Sequence, residues 1–379
     1  MTKDLFRLRS SLVAALLVSL VWLGCTDGNN PLTAPDGLVP DISVVSQDAF
    51  GLAIAAQENH TARLLTTQGL IGTAVGLAEN GQPVVKLFLA TEGVGGLPVS
   101  LDGIPVVVEV IGEIFALQQA QGKPDCSPWP ACKKGNDGGE EDPPEEPTDP
   151  TARFLRPVPI GISTGHPDIT AGTIGARVTD GTDVFALSNN HVYANKNAAQ
   201  IGDAVIQPGT FDGGASPDDD IGTLSAYVTI VFGGVFENVV DAAIALSSTE
   251  DLGNATPADG YGAPSSGTAS AAVNMRVMKY GRTTGQTKGR VRGINAIVNV
   301  NYGAAGIARF VGQIVIGGGG FSAGGDSGSL VVTESGATPV GLLFAGSSRV
   351  TIANPIDAVL AELAAAAEVA LLTIDGSNN

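Results

Sequence analysis

The sequence predicts a mainly β protein preceded by a small α+β segment, and three observations carry that reading. Gly supplies 51 of the 379 residues while aromatic residues make up only 5%, a composition of turn-rich β proteins rather than helical bundles. From residue 152 onward, short apolar segments alternate with turn signals: Asp180-Gly181, Asp212-Gly213-Gly214, Gly233-Gly234, Asp259-Gly260-Tyr261-Gly262 and the run Gly317 to Gly320. Regularly spaced short strands over such a length form a barrel or a sandwich. Before residue 117, one helical pattern gives way to strand-like ones.

The chain opens with Lys3, Arg7 and Arg9, followed by an apolar run from Leu12 to Leu23 that ends at Gly24-Cys25. A basic start and an apolar stretch too short to span a bilayer read as a secretory signal over residues 1–25. Cys25 after Gly24 resembles a bacterial lipobox, in which that Cys carries the lipid. Trp22 departs from the Leu usual at its position, so plain secretion or an uncleaved anchor stands as the alternative. Residues 26–40 form a polar tether.

Residues 41–117 read as a small α+β domain. Leu52, Ile54, Ala55, Ala56, Ala62, Leu64 and Leu65 recur at helical spacing between Phe50 and Leu65. Strands follow at Gly72 to Leu77, at Val84 to Leu89 across the Asn80-Gly81 turn, and at Val106 to Ile111 after Asp102-Gly103. His60 lies in the helix with no nucleophile or carboxylate cluster near it in sequence, and reads as a solvent-facing or capping residue.

Residues 118–151 form a linker rich in Pro and in acidic residues, which repel one another and extend the chain. Within it Cys126 and Cys132 bracket five residues. In an oxidising compartment such a pair closes as a disulfide, since two thiolates leave the other positions of a zinc ion unfilled; idle thiols are the alternative. The rest, 152–379, is the β domain, ending in an Ala-rich helical pattern from Pro355 to Leu371 with Asp357 near its start.

Lys plus Arg number 20 against 38 Asp plus Glu, a net charge of -18. That field repels polyanions and excludes nucleic acid as a partner class. With three His and three Cys, no rich metal site is expected, and no cofactor motif is present. Asp218, Asp219 and Asp220 read as a solvated acidic turn rather than a calcium site.

Chemistry points to three segments: LSNNHV at Leu187 to Val192, NVVDAAIAL at Asn238 to Leu246, and FSAGGDSGSLVV at Phe321 to Val332. A nucleophilic Ser needs a base, and the base needs an acid that fixes its tautomer. His191, Asp241 and Ser327 stand in that set. Gly325-Asp326-Ser327-Gly328 permits a tight turn in which the NH groups of Gly325 and Ser327 converge to hold an oxyanion. His166, beside Pro167, reads as a structural loop residue.

In these segments the chain resembles the chymotrypsin-like (trypsin-fold) serine proteases, in their bacterial trypsin-like branch. The resemblance rests on GDSG at 325–328, on SNNH where the family has TAAH, on the Asp that opens DAAIAL, and on the order His, Asp, Ser. KYGRTTGQTKGRV at Lys279 to Val291 adds to it, and it covers about Gly161 to Ile356.

It implies two six-stranded antiparallel barrels, a cleft between them holding His191, Asp241 and Ser327, and no cofactor or metal. Phe344, Ala345 and Gly346 would pair with a polypeptide substrate, and Phe321 would floor the pocket for the residue preceding the cut. Ser329 departs from the family's second Gly, and the family's disulfides are missing. The expected function is an exported serine endopeptidase, touching the membrane only through a lipid on Cys25. A non-catalytic surface binding protein built on the same barrels is the alternative.

Overall fold

The computed structural model describes residues 47–117, 148–318 and 320–377. The candidate signal, Cys25, Cys126 and Cys132 lie outside the described residues. Helix α1 (Gln47–Leu64) packs Ala56 and Leu64 onto strands β1 (Leu70–Leu77) and β2 (Pro83–Leu89), where Leu70, Val85, Leu87 and Leu89 are buried. Strands β3 (Ser100–Leu101) and β4 (Ile104–Val110) meet across Asp102-Gly103, whose φ angles of 46° and 84° are both left-handed, as a two-residue hairpin of matching twist requires. β4 lies parallel to β2. The short strand β5 (Phe115–Ala116) follows.

The first barrel uses β6 (Ser163–Thr164), β7 (Gly172–Thr173), β8 (Ala176–Thr179), β9 (Val184–Ser188), helix α2 (Asn190–Tyr193), β10 (Ala204–Ile206), β11 (Asp220–Tyr227) and β13 (Ala243–Ser247); the short β12 (Glu237–Asn238), between the last two in sequence, pairs outside this barrel. Strands β10, β11, β13, β9 and β8 are hydrogen-bonded in that order, and the β6–β7 hairpin links to β10 through a Gly165–Ile206 bridge. Alternation in β9 and β13 assigns the faces. Ala186, Ala243 and Ala245 fill the barrel interior with Ile162, Ile174 and Leu224, whereas Phe185, Leu187 and Ile244 pack outward against Leu330, Leu342 and the C-terminal helix. Both faces are buried, which is why these strands read as nearly continuous apolar runs.

The second barrel comprises β14 (Arg276–Gly281), β15 (Gly285–Asn301), β16 (Ile307–Gly317), β17 (Leu330–Thr333), β18 (Pro339–Gly346) and β19 (Val350–Pro355). The order β14-β15-β16-β19-β18-β17 closes on β14, so six antiparallel strands leave no free edge. Helix α3 (Ile356–Ala366) buries Ile356, Val359, Leu360 and Leu363 between the barrels, and β20 (Thr373–Ile374) returns to pair with β8. The two expected six-stranded barrels are thus present.

The described residues form one compact unit, in which β1, β2 and β4 of segment 47–117 continue the sheet of the second barrel. β15 runs beyond its barrel, and β1 pairs with the overhang at Gly72–Val298, Thr73–Ile297 and Val75–Ile294. The buried Gln57 amide donates to Asn295 O (2.8 Å) and accepts from Asn295 Nδ2 (3.1 Å). Gly72 permits the approach: a Cβ there would stand 2.7 Å from Ile297 O. The turn signals that delimit 41–117 are local, whereas the pairing that joins it to β15 spans more than 200 residues and leaves no local mark.

Candidate active site

His191 lies on α2, immediately after β9, and Asp241 lies just before β13; β9 and β13 are direct neighbours, with Ser188 opposite Ala243. The ladder therefore delivers the two side chains together. His191 Nδ1 is 2.5 Å from Asp241 Oδ2, and the His191 backbone NH donates to Oδ1 at 3.1 Å, both side chains being fully buried. A carboxylate only accepts, so the imidazole proton sits on Nδ1 and Nε2 is the basic nitrogen. The SNNH sequence has a local reason: Asn189 donates to Asp241 O (2.7 Å), and Asn190 to Val228 O (2.7 Å) and Asn197 Oδ1 (2.8 Å).

Sequence reasoning missed Tyr302, at the end of β15. Its hydroxyl donates to Asp241 Oδ2 at 2.7 Å, and its ring meets the imidazole of His191 edge-on at 5.9 Å. Burial, reinforced by the Asp241 charge, pushes the Tyr302 hydroxyl well above its ordinary pKa, so it remains a donor. Asn354 Oδ1 accepts from the Asp241 backbone NH (3.1 Å), and Asn354 Nδ2 donates to Gln313 Oε1 (2.7 Å). Asp241 is thus held by both barrels.

Ser327 stands in the turn between β16 and β17. Gly325 and Gly328 have φ of 96° and 95°, and a Cβ on Gly328 would meet Ser188 Oγ and Thr173 O at 2.2 Å. Thr173 of the first barrel grips the turn: its NH donates to Ser327 O (2.7 Å) and its hydroxyl to Gly325 O (2.9 Å). Ser327 Oγ donates to Phe344 O at 3.0 Å. A Cβ on Gly172 would touch Val192 Cγ2 at 2.5 Å and Ser327 O at 3.1 Å, so the helix of His191 and the serine turn flank the same glycine.

Asp326, between the two turn residues, is fully buried. It accepts from Ala323 N (2.9 Å), Thr283 N (2.8 Å), Thr284 N (3.2 Å) and Thr284 Oγ1 (2.8 Å), and Lys279 Nζ lies 3.4 Å away, also fully buried. Burial draws the Lys279 ammonium below its ordinary pKa, with Asp326 opposing. The KYGRTTG motif is therefore the cradle of Asp326, and a Cβ on Gly281 would meet Ser329 Oγ at 2.5 Å. Ser329 itself donates to Asp326 O at 2.6 Å, which gives that departure from the family pattern a job in the turn.

Phe321 is buried in the second barrel's core with Val277, Val291 and Leu343, packed on Gly289. Phe344, Ala345 and Gly346 form the end of β18, and their edge takes β5. His166 donates its backbone NH to Val192 O on α2 (3.0 Å), while its ring is paired with Asp203 (3.2 Å) and accepts from Asp168 N (3.0 Å). His60 sits on α1, 2.8 Å from Asp102, whose carboxyl it holds below the usual range. Asp219 is paired with Arg153 at 2.6 Å. Among the described residues no three His, Cys, Asp or Glu side chains cluster as metal ligands, and no helix is long and apolar enough to cross a membrane.

No protein-family model and no curated protein matches the chain. Among solved structures it is similar to Thermobifida fusca Protease A, at 19% identity and a TM-score of 0.41, over 58% of this chain and 100% of that one. It is likewise similar to a glutamic acid-specific serine protease (20% identity, TM-score 0.40, 57% of this chain and 100% of that one) and to Nocardiopsis protease (16%, 0.39, 57% and 99%). The two barrels, with His191 and Asp241 from the first and the Ser327 turn from the second, give the chain the trypsin-like fold of the chymotrypsin-like serine proteases.

Proposed function

We propose that the protein is an exported serine endopeptidase that hydrolyses peptide bonds in polypeptides. The observation that carries this reading is the buried His191–Asp241 pair at 2.5 Å, set against a glycine turn that presents Ser327 and is braced by buried Asp326. Ser327 Oγ attacks the substrate carbonyl as His191 Nε2 takes its proton. Asp241 holds the imidazole and offsets its positive charge. The NH groups of Gly325 and Ser327 stabilise the oxyanion, and His191 returns the proton to the leaving amine.

Reaction with a fluorophosphonate tests the assignment. Wild type is expected to take up the probe at Ser327; a Ser327→Ala protein that labels as well as wild type refutes it. Replacement of His191 or Ser327 is expected to lower the hydrolytic rate by about 10⁴-fold or more. A non-catalytic binding protein would show no labelling at all. Export rests on residues 1–25, and lipid attachment on Cys25: labelled lipid is expected in wild type and absent from Cys25→Ser.

A further inference from the structure

The Gly325 NH, which the serine turn offers to an oxyanion, belongs to a peptide group whose other end is held from outside the turn. Peptide groups are planar and trans, so the Gly325 NH and the Gly324 carbonyl point in opposite directions. The NH donates to Leu117 O at 2.8 Å. The carbonyl faces the other way and accepts from Thr283 Oγ1 at 2.7 Å. If this peptide turned over, Gly324 O would take the place of the NH, and a carbonyl oxygen would face a developing oxyanion.

Thr283 is itself oriented. Arg282, in the turn between β14 and β15, donates from Nη1 to Thr283 Oγ1 (3.0 Å) and from its backbone NH to Thr173 Oγ1 (3.1 Å). A hydroxyl has one proton to give. Each of these oxygens accepts from Arg282 and turns its proton to a carbonyl of the serine turn: Thr283 to Gly324 O, and Thr173 to Gly325 O at 2.9 Å. Arg282 is anchored in turn by the first barrel. Its Nε and Nη2 donate to Asp212 Oδ2 and Oδ1 at 2.8 and 2.5 Å, with both side chains buried, and its guanidinium lies 5.2 Å from the centre of the Phe211 ring. Ser163 Oγ, on β6, donates to the same Asp212 Oδ2 at 2.5 Å.

Joining the two barrels accounts for the Arg282–Asp212 pair alone. It does not account for two Arg282 donors that end on hydroxyls whose protons go to consecutive carbonyls of the serine turn. We propose that Arg282 and Thr283 are positioning residues for the oxyanion site: Asp212 fixes the guanidinium, the guanidinium fixes the Thr283 hydroxyl, and that hydroxyl holds the Gly324–Gly325 peptide with its NH toward the oxyanion. This rests on the endopeptidase reading above. Both residues act through the orientation of one NH group, the donor on which such a site depends, rather than on the reacting atoms.

Substitutions separate this relay from general support of the fold. Thr283→Val keeps the side-chain shape and the backbone NH that Asp326 accepts at 2.8 Å, but leaves Gly324 O without its hydroxyl donor. Thr283→Ser keeps the hydroxyl. Arg282→Lys keeps the charge and the backbone NH, but a single ammonium cannot serve both Asp212 oxygens and Thr283 Oγ1 as the guanidinium fork does. The His191–Asp241 pair is untouched by all three. A loss that comes through the oxyanion site therefore lowers the rate at every pH and leaves the midpoint of the pH–rate profile in place.

The test measures kcat/KM for p-nitrophenyl acetate as a function of pH in full-length wild type, Thr283→Val, Thr283→Ser, Arg282→Lys and the double variant, with a melting curve to show that each is folded. Thr283→Val is expected to lose about 10- to 100-fold with an unchanged midpoint, and Thr283→Ser to recover to within about three-fold of wild type. Arg282→Lys is expected to lose activity in the same way, and adding it to Thr283→Val to cost no more than about two-fold further, because both changes act through one hydroxyl. A folded Thr283→Val that keeps the wild-type rate, a Thr283→Ser as slow as Thr283→Val, a shifted midpoint, or losses that multiply in the double variant overturns the inference. If Arg282→Lys does not fold, the comparison of Thr283→Val with Thr283→Ser decides alone. In each of these cases fluorophosphonate labelling of wild-type Ser327 leaves the endopeptidase reading standing. A wild type that neither labels nor hydrolyses the ester overturns that reading instead, and the inference falls with it.

Discussion

Lys279→Met probes the support of the serine turn. Both Lys279 and Asp326 are fully buried, with Nζ 3.4 Å from Oδ2, and removing one partner of a buried pair costs about 3–5 kcal/mol because the other charge stays buried. Asp326 retains four other donors, from Ala323, Thr283 and Thr284, and Met nearly matches Lys in volume. The lower end therefore applies, about 3 kcal/mol, or a fall in Tm of about 4–5 °C for a unit of this size. Asp326 lies between the two residues whose NH groups form the oxyanion site, so ester hydrolysis should fall by up to about 10²-fold. A variant that melts within a degree of wild type and keeps its rate would refute the reasoning.

The same pair predicts an alkaline limb. The Lys279 ammonium titrates below its ordinary 10.5 in the folded state. Between its folded pKa and 10.5 the unfolded chain binds more protons than the folded one, so this group adds stability as pH rises. Over that window the neutral amine keeps its hydrogen bonds to Thr284 Oγ1 and Gly285 O, which Met cannot make, but its charge beside Asp326 is lost; activity is expected to fall while Tm does not. In Lys279→Met that limb of the pH–rate profile should disappear.

Three further substitutions test the remaining supports. Tyr302→Phe removes one hydrogen bond to the Asp241 carboxylate, worth about 1.5–3 kcal/mol, and should lower kcat/KM by about 10- to 100-fold in an ester assay; an unchanged value would deny Tyr302 its positioning role. Gly328→Ala forces a Cβ to 2.2 Å from Ser188 Oγ and Thr173 O at a φ of 95°, and should leave little folded protein by circular dichroism. Phe321→Ala empties a buried core site and should cost about 3–5 kcal/mol in urea unfolding. A cost under about 1 kcal/mol would place that ring outside the core.

What the sequence disclosed follows from how local each signal is. Helix α1, the hairpin turn at Asp102-Gly103 and the strands at 83–89 and 104–110 are set by periodicity and turn chemistry within a few residues, and they fall within a few residues of where sequence places them. His191, Asp241 and Ser327 were legible because each carries its own short motif. Tyr302 and Lys279 were not, although one bonds the candidate acid and the other pairs with the residue beside the candidate nucleophile. An aromatic at the end of an apolar strand reads as core, and a Lys in a strand reads as solvent-facing, until the barrel closes and turns each inward.

The hidden residues share a further property, which bears on how the site is built. Tyr302 and Asn354 reach Asp241 from the second barrel, while Thr173 of the first barrel holds Ser327 and Gly325 of the second. Each half of the candidate catalytic set is thus fixed by the other half's barrel, so neither His191–Asp241 nor the serine turn has its full geometry until both barrels have closed. β5 extends that dependence to the N-terminal segment, because its hydrogen bonds require β18 and the Gly325 turn to be already in place.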